Sequence, residues 1–506
     1  MFEEQWALSN DGTFSLETEQ NGYEAYNHIS APGQWNGSDM SRMGITAATA
    51  GTTAASGVDI NAEEAWALNS GEAGKKVVVA LIDTGVDYTH EDLADSIWTN
   101  ADEIAGNGID DDGNGYIDDV RGWNFYNDSN EVYVGSEDNH GTHGAGTIAA
   151  NSDNSIGIAG IAGSTGNVEI MVLKALGGTD GSGTTEDVIR AIAYAEDNGA
   201  SIVNLSLGVN TFDYALYFAM ANSDLLFVVA AGNDGADSDN HGTYPAAYNL
   251  ANIISVANLQ CDGTLNSSSN FGETSVDLAA PGTYILSTTT GSGYGYMTGT
   301  SMAAPMVSAT AALVYSYYDD LCLSDVKQII LGSAKELDSL DGLVETGGML
   351  DTGAALSYDL DTLTDPGEDT ETDAGTAPVI SCETYTENGQ CYLTVIVTDE
   401  EGDFCTLCYA QGEQTADYFN YGSGGTQVEV GRGNSATFRI TGSGTCTFYA
   451  LDTAGNETVK VVTVTTGTSS DSTSDESNGG GYRIPPGNFP GGNQPGGIPP
   501  MNSPHR

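Results

Sequence analysis

Residues 77–85 read Val-Val-Val-Ala-Leu-Ile-Asp-Thr-Gly, an unbroken apolar run that ends in an acid. Similar β-branched runs follow at residues 170–173, 202–207, 225–231 and 253–256. None of them alternates apolar with polar residues, which is typical of parallel strands that are buried on both faces. We therefore predict a parallel sheet in which Asp83 stands at the end of one strand.

Helical segments separate some of these runs. After Thr184, which resembles a helix cap, Val188, Ile189, Ile192 and Ala195 follow at helical spacing before Asn198-Gly199 supplies a stop. Strands that alternate with helices indicate a three-layer α/β domain. We assign it to residues 58–358.

The remainder of the chain divides by composition. Residues 1–57 are predicted to be an N-terminal lead-in with a loose polar insertion, and residues 359–377 an acidic linker. Residues 378–465 contain strand-like runs between turn residues, which favours a small all-β sandwich. Residues 466–506, rich in Gly, Pro and Ser, are predicted to be a disordered tail.

Charge restricts the partners of this protein. Its 506 residues include 71 acidic and 13 basic side chains, for a formal net charge of −58. Such a surface repels nucleic acid and anionic lipid, so we expect neither as a partner. No apolar run approaches the roughly 18 residues that span a bilayer. A high-salt environment and an ordinary acidic secreted protein both remain open.

Two further motifs complete a catalytic pattern with Asp83. One is His140-Gly141-Thr142-His143, and the other reads Gly299-Thr300-Ser301-Met302-Ala303-Ala304-Pro305. A serine hydroxyl becomes a good nucleophile when a histidine takes its proton, and the histidine needs an acid to fix its tautomer. A helix that starts at Ser301 would aim N–H groups at a developing oxyanion. We predict a triad of Asp83, His140 and Ser301.

These motifs, in the order Asp, His, Ser, resemble the subtilisin-like serine proteases (subtilases, peptidase family S8) from about Gly57 to Tyr358. The resemblance implies a serine endopeptidase that acts through an acyl-enzyme intermediate. It also implies that Asn233 is an oxyanion donor. Ser206, Leu207 and Gly208 would pair with a peptide or protein substrate bound as an extended strand.

Specificity is also inferred from the resemblance. Thr243 falls at the floor of the primary specificity pocket and Asp234 at its rim. Thr243 should make the pocket shallower, and Asp234 could attract a basic side chain. We expect broad cleavage after medium apolar, Lys or Arg residues. The alternative is that a local turn occupies Asp234, which then selects nothing.

Calcium is the expected cofactor, and no organic cofactor is expected. Residues 110–118 match the first part of an EF-hand loop, with candidate ligands at Asp110, Asp112, Asn114, Tyr116 and Asp118, but Arg121 replaces the usual final Glu. The alternative is a solvated acidic loop. The family resemblance implies a second site, with candidate ligands at Asp92, Ser152, Asn154, Ile156 and Ile158 and with Gln5 as a possible addition.

Rival interpretations explain less of the sequence. A second Asp-Thr-Gly at Asp351 suggests a pepsin-like protease but leaves His140 and Ser301 unexplained. His140 and His143 could form a metal pair, but they are three residues apart and have no third ligand nearby. The alternative from another class is a catalytically silent cell-surface adhesin, since the C-terminal part resembles bacterial immunoglobulin-like modules.

The last expectations concern location and processing. Five of the seven cysteines fall in the C-terminal part, which favours disulfides of open connectivity in a secreted or cell-surface protein. We expect a monomer. Neither a signal peptide nor the family's inhibitory propeptide is recognised in this chain, so a processed or incomplete form is expected. The natural substrate remains open.

Overall fold

A computed structural model describes residues 4–14, 53–69, 74–152, 154–178, 181–318, 320–364, 376–387, 390–398, 404–420, 426–427, 435–440, 443–452 and 456–464. The chain forms two compact units, residues 1–368 and 369–506. Most of the predicted loose insertion, most of the acidic linker and the predicted tail lie outside the described residues.

The first unit contains seven α-helices and thirteen strands within the described residues. The helices are α1 (Ala62–Leu68), α2 (Asn139–Ala149), α3 (Thr185–Asp197), α4 (Tyr214–Ala221), α5 (Thr300–Tyr317), α6 (Leu323–Gly332) and α7 (Thr352–Leu356). The strands are β1 (Val77–Asp83), β2 (Gly122–Asn124), β3 (Val168–Lys174), β4 (Leu176–Gly177), β5 (Ser182–Gly183), β6 (Ile202–Leu205), β7 (Leu226–Ala230), β8 (Ile253–Leu259), β9 (Leu278–Pro281), β10 (Ile285–Thr289), β11 (Gly293–Met297), β12 (Lys335–Glu336) and β13 (Gly348–Met349).

A nine-stranded sheet forms the centre of this unit, in the order β12-β13-β9-β8-β7-β6-β1-β3-β2. Every neighbouring pair is parallel except β12 and β13. Strands β6, β7 and β8 are buried throughout, as their continuous apolar sequence predicts. This mostly parallel sheet within an α/β fold confirms the fold class predicted for the catalytic part.

Two helices next to the sheet carry the predicted chemistry. Helix α5 is buried along almost its whole length and packs against several strands, because small side chains such as Ala and Ser dominate its first turns. Helix α2 packs against it: a Cβ at Gly144 would lie 3.7 Å from Pro305 and 3.7 Å from Leu81. The predicted helix after Thr184 is also confirmed as α3, and the Thr184 hydroxyl accepts from the Asp187 amide at 3.1 Å.

The described residues of the second unit form two antiparallel sheets and one short helix, α8 (Ala416–Asn420). One sheet contains β14 (Val379–Glu387), β15 (Gln390–Thr398) and β18 (Ser435–Ile440). The other contains β16 (Phe404–Gln411), β17 (Thr426–Gln427), β19 (Gly444–Asp452) and β20 (Glu457–Val464). Apolar side chains from both sheets, such as Val395 and Phe448, share one core.

Two further contacts, one in the N-terminal segment and one in the second unit, bear on the sequence predictions. The lead-in is anchored at Trp6, which is buried and donates from Nε1 to the Thr283 carbonyl at 3.1 Å. Cys382 and Cys446 in the second unit form no disulfide, so the expectation of disulfides is wrong at these two positions. Cys446 is buried in the apolar core of this unit and Cys382 is half-buried against that core, where cysteine packs as a small hydrophobe.

Candidate active site

The carboxyl ends of the parallel strands gather the candidate residues at one edge of the sheet. Strand β1 ends at Asp83, Ser206 follows β6 directly, and Asn233 lies three residues beyond β7. Ligands of open α/β sheets bind outside the carboxyl ends of the strands. The fold thus places three of the predicted site residues along one edge.

Asp83 and His140 form a buried pair. His140 lies in the first turn of α2, and its Nδ1 is 2.7 Å from Asp83 Oδ1. Asp83 also accepts from the Thr84 amide at 2.6 Å, and the two side chains are only 2% and 4% exposed. A carboxylate bonded at Nδ1 holds the proton on that nitrogen, so Nε2 is the ring atom that can accept a proton.

Ser301 is the second residue of α5. Its hydroxyl donates to the Ser206 carbonyl at 3.4 Å, and the Ser206 hydroxyl donates to the Ser301 carbonyl at 3.0 Å. The second bond has a structural reason, because Pro305 has no N–H to bond the carbonyl four residues earlier. Ser206 therefore satisfies the carbonyl that the proline leaves, at the helix end whose dipole favours negative charge.

Asn233 faces the same helix terminus. Its Oδ1 accepts from the Thr300 amide at 2.9 Å and from the Thr300 hydroxyl at 3.2 Å. Because the amide oxygen is committed to Thr300, its Nδ2 group is the end that remains to donate. The Asn233 side chain can therefore present an N–H donor beside Ser301, as an oxyanion site requires.

The sequence analysis did not identify Lys174, a fully buried cation beside the pair. Lys174 ends β3 opposite Asp83 in the sheet register. Its ammonium donates to the Thr84 carbonyl and lies 2.7 Å from Asp138 and 3.0 Å from Glu137. Burial raises the pKa of Asp138, although the bond to Lys174 opposes that shift. The one available signal was a basic residue at the end of an otherwise apolar strand in a chain with few basic residues.

The predicted specificity residues cluster behind this edge. Thr243 is buried, and its methyl group would lie 2.9 Å from a Cβ at Gly208. Asp234 is exposed, and its amide donates to Asn270 at 3.0 Å. Leu207, between Ser206 and Gly208, is buried. These positions are consistent with a pocket, and their roles stay predictions.

His143 lies on the buried side of α2 and is not exposed at all. Its Nε2 donates to the Ile285 carbonyl at 2.9 Å. Burial lowers the pKa of His143 to about 3, because a charged imidazole would lose its hydration. This bond commits Nε2 to the backbone, which argues against a metal pair with His140.

In the predicted calcium loop, the first and last candidate carboxylates, of Asp110 and Asp118, accept hydrogen bonds from backbone amides. Asp110 accepts from the amides of Gly113 at 2.7 Å and Gly115 at 3.0 Å. Asp118 accepts from the amides of Asn107 at 3.0 Å and Gly108 at 2.9 Å. These two carboxylates therefore bind the backbone of the loop, and the Asn114 amide donates to both Asp110 Oδ1 and Asp112 Oδ1.

A different trio of carboxylates does converge. Glu103, Asp112 and Asp119 each offer an oxygen within 4.8 Å of the others. Asp119 is fully buried and also accepts from Asn114 Nδ2 at 2.9 Å and from the Tyr194 hydroxyl. Sequence spacing could not reveal Glu103, because it precedes the loop and reaches it only through the fold. Tyr116 lies beside this trio and packs its ring against Tyr194, with 5.1 Å between the ring centres.

The second candidate calcium site centres on Asp92, which is 1% exposed. It accepts from Asn154 Nδ2 at 2.6 Å and from the Ile158 amide at 3.0 Å. Among the described residues, Asp92 forms no salt bridge. Ser152 instead donates to the Gly160 carbonyl at 3.0 Å, and the Ile156 amide donates to Asn154 Oδ1 at 2.8 Å.

Gln5 also reaches the end of this second loop. Its side chain makes two bonds to the backbone of Ala159, each of 2.9 Å. The N-terminal segment is therefore tied to the residue that follows Ile158. This contact brings the possible additional ligand to the neighbourhood of the site.

The chain matches a family model described as "Subtilase family" over residues 74–371. It is 39% identical over 267 residues to a "Major intracellular serine protease" of Bacillus subtilis, covering 52% of this chain and 74% of that protein. It is 40% identical to a "Thermophilic serine proteinase" of a Bacillus strain, covering 50% of this chain and 55% of that protein. It is 36% identical to "Halolysin" of Haloferax mediterranei, covering 61% of this chain and 53% of that protein.

The match to the family model covers more than half of the chain, and this chain therefore belongs to the subtilase family. Its class is that of a serine-type endopeptidase. The match spans about half the length of the second and third relatives. Among the described residues, no helix is long and apolar enough to cross a membrane.

Proposed function

We propose that the protein is a secreted serine endopeptidase of broad specificity that cleaves peptide bonds through Asp83, His140 and Ser301. The observation that carries the proposal is the buried 2.7 Å bond between His140 Nδ1 and Asp83 Oδ1. It prepares His140 to act as a base at Nε2. The relatives named above are all proteases, and none supports the alternative of a silent adhesin.

The reaction begins with proton transfer. His140 Nε2 takes the Ser301 hydroxyl proton as Oγ bonds to the substrate carbonyl carbon, and Asp83 stabilises the resulting imidazolium. The oxyanion would accept from Asn233 Nδ2 and from the Ser301 amide in the first turn of α5. The C–N bond then breaks as His140 protonates the leaving amine. Water, activated by the same histidine, releases the acid from the acyl-enzyme.

The substrate would lie as an extended strand along Ser206, Leu207 and Gly208. A peptide in this position adds main-chain hydrogen bonds to the existing backbone. Thr243 and Asp234 would then meet the side chain before the scissile bond. An exposed carboxylate such as Asp234 contributes at most about 1 kcal/mol toward a basic side chain, because solvent screens it.

Structural calcium forms part of the proposal. Glu103, Asp112 and Asp119 supply hard oxygen ligands of the kind that calcium prefers, and so does Asp92 with Asn154. The three carboxylates of the first site repel one another without a cation, which supports that assignment. Calcium at these sites would stabilise the fold and takes no part in the reaction.

Secretion and the role of the second unit are further parts of the proposal. A "Halolysin-like extracellular serine protease Nep" of Natrialba magadii, 33% identical to this chain, favours secretion, whereas the Bacillus subtilis relative is named as intracellular. The two facing sheets of the second unit support an immunoglobulin-like module that binds or spaces. A monomer and an inhibitory propeptide outside this chain complete the proposal.

Cleavage-site profiling on a peptide library tests this function. We expect cleavage after many apolar or basic residues and rejection of Asp and Glu, because the net charge of −58 disfavours acidic peptides. A serine-directed inhibitor should abolish the cleavage. Cleavage that survives this inhibitor would contradict the proposed mechanism.

A further inference from the structure

We propose that Asn270 is a positioning residue that fixes the oxyanion loop, defined here as residues 231–236, and thereby tunes the primary specificity pocket. The proposal rests on the proposed protease function. Asn270 lies between β8 and β9, outside the catalytic motifs, and its side chain is completely buried. A buried amide must satisfy its own donors and acceptors, so its partners indicate what it holds in place.

The Asn270 amide bonds both flanks of the oxyanion loop. Its Nδ2 donates to the Ala231 carbonyl at 3.0 Å and to the Thr243 hydroxyl at 3.0 Å. Its Oδ1 accepts from the amides of Asp234 and Ala236, each at 3.0 Å. These four bonds use the whole capacity of a primary amide. One side chain therefore joins the start and end of the loop to the predicted pocket floor.

The backbone of Asn270 holds the middle of the same loop. Its amide donates to the Gly232 carbonyl at 2.9 Å. Gly232 has φ of 110°, in the region that favours glycine, and a Cβ there would collide with Asn270 Nδ2. The same Cβ would lie 3.3 Å from the Thr243 methyl group. Gly232, Asn270 and Thr243 are thus packed too closely for one to move alone.

Two functional groups depend on this arrangement. Asn233, the predicted oxyanion donor, belongs to the loop that Asn270 bonds on both sides. Displacement of a catalytic group by about 1 Å can reduce a rate roughly 100-fold. The hydroxyl of Thr243, the predicted pocket floor, accepts from the Asn270 amide at 3.0 Å and donates to Asn210 Oδ1 at 3.3 Å. Loss of this amide should therefore lower kcat and also change which side chains the pocket accepts.

The test compares Asn270→Ala with Asn252→Ala. Asn252 is a matched control, because its Nδ2 donates to three carbonyls, of Met220, Ser223 and Leu225, at 2.9 to 3.2 Å. It precedes β8 and so lies at the opposite end of the strands from the site. Asn270→Ala loses buried hydrogen bonds and Asn252→Ala loses partly buried ones, and both should melt at a lower temperature than the parent.

Each variant is titrated with a serine-directed reagent, and kcat and KM are measured per active site on matched peptides with Phe or Ala before the scissile bond. We expect Asn270→Ala to lower kcat about 10- to 100-fold and to change the Phe-to-Ala ratio of kcat/KM by about fivefold or more. Asn252→Ala should change neither. Thr243→Val removes the bond from Asn270 to the predicted pocket floor, together with the bond from Thr243 to Asn210, and should also change the ratio.

Asn270→Ser keeps a polar group without placing a charge in the buried site and provides a second variant if Asn270→Ala fails to fold. It should show the same two changes. Unchanged kcat and an unchanged ratio in the folded Asn270 variants would overturn the inference. A parent that neither cleaves peptides nor reacts with the serine reagent would instead overturn the proposed function.

Discussion

Lys174 and Asp138 form an ion pair of 2.7 Å in which neither side chain is exposed. Asp138 also accepts from the amides of Val134 at 2.5 Å and Gly135 at 2.9 Å. Asp138 lies two residues before His140, which forms the pair with Asp83. Lys174 in turn bonds the Thr84 carbonyl, next to Asp83. The ion pair thus connects the two chain segments that carry the acid and the base.

Removing one partner of this ion pair should be costly. Lys174→Met leaves Asp138 buried and charged, so we expect the free energy of unfolding to fall by about 3–5 kcal/mol. Urea denaturation in a Ser301→Ala background, which prevents self-digestion, measures the loss. The double variant Lys174→Met with Asp138→Asn should recover part of it, because no buried charge remains and only the half-exposed Glu137 loses its partner.

Arg190→Met is the control for this prediction. Arg190 and Asp128 form a more exposed pair at 2.9 Å, worth at most about 1 kcal/mol. A loss in Lys174→Met no larger than in Arg190→Met would show that the buried pair contributes no more than a surface pair.

His143 should make stability depend on pH. Its pKa is lowered to about 3 in the folded protein, against 6.5 as the ordinary value. The unfolded chain therefore binds the proton more readily, and folding stability present above pH 6.5 is lost as the pH falls toward 3. At pH 5 the loss should be about 2 kcal/mol. Unfolding of Ser301→Ala measured from pH 7.5 to 5 should reveal it.

The control for the pH effect is a variant that cannot titrate at this position. His143→Gln should lower stability overall and flatten this part of the pH dependence, whereas His241→Gln, at an exposed histidine, should leave it unchanged. An equally steep dependence in His143→Gln would assign the effect to other groups.

Gly144 offers a stabilising change. Its added Cβ would meet Leu81 and Pro305 at ordinary contact distances of 3.7 Å. Because glycine inside a helix costs roughly 0.5–1 kcal/mol relative to alanine, Gly144→Ala should raise stability by about that amount. Gly146→Ala, two residues further along α2, should destabilise the protein, since its Cβ would collide with Thr288. Thermal melting of both variants tests the contrast, and destabilisation by Gly144→Ala would contradict it.

Calcium should stabilise the protein through the converged carboxylates. A ligand that binds only the folded state adds about 2.7 kcal/mol at a hundredfold excess over its Kd. Chelation should therefore lower the Tm of the parent. Asp119→Asn should reduce the calcium-dependent shift in Tm, whereas Asp118→Asn, whose carboxylate binds backbone amides, should retain it. Superimposable melting curves with calcium and with chelator would contradict the proposal that calcium at either site stabilises the protein.

Local sequence patterns predicted the elements that depend on neighbouring residues. The unbroken apolar runs predicted the parallel strands, and Thr184 predicted the start of α3, because burial and capping are local in their causes. Pro305 lies six residues into α5. The reason it is tolerated there, a hydrogen bond from Ser206 to the Ser301 carbonyl, required the fold.

Residues that act through distant partners could not be predicted in this way. Asp138 lies 36 residues before Lys174 along the chain, and Asn270 lies 39 residues after Ala231. Neither spacing has a periodic signature, and Asn270 stands in a polar run that looks like an ordinary turn. The role of Glu103 could not be predicted for the same reason, since only the folded loop brings Glu103 to Asp112 and Asp119.

The assignment of Ser301 as the nucleophile is tested most directly by comparing the peptidase activity of Ser301→Ala with that of the parent. Circular dichroism and equal melting behaviour should first show that both proteins are folded. We expect the parent to react with one equivalent of a serine-directed reagent and Ser301→Ala to lose activity by about 10⁶-fold. Activity of Ser301→Ala within about tenfold of the parent would contradict the assignment of Ser301 as the nucleophile.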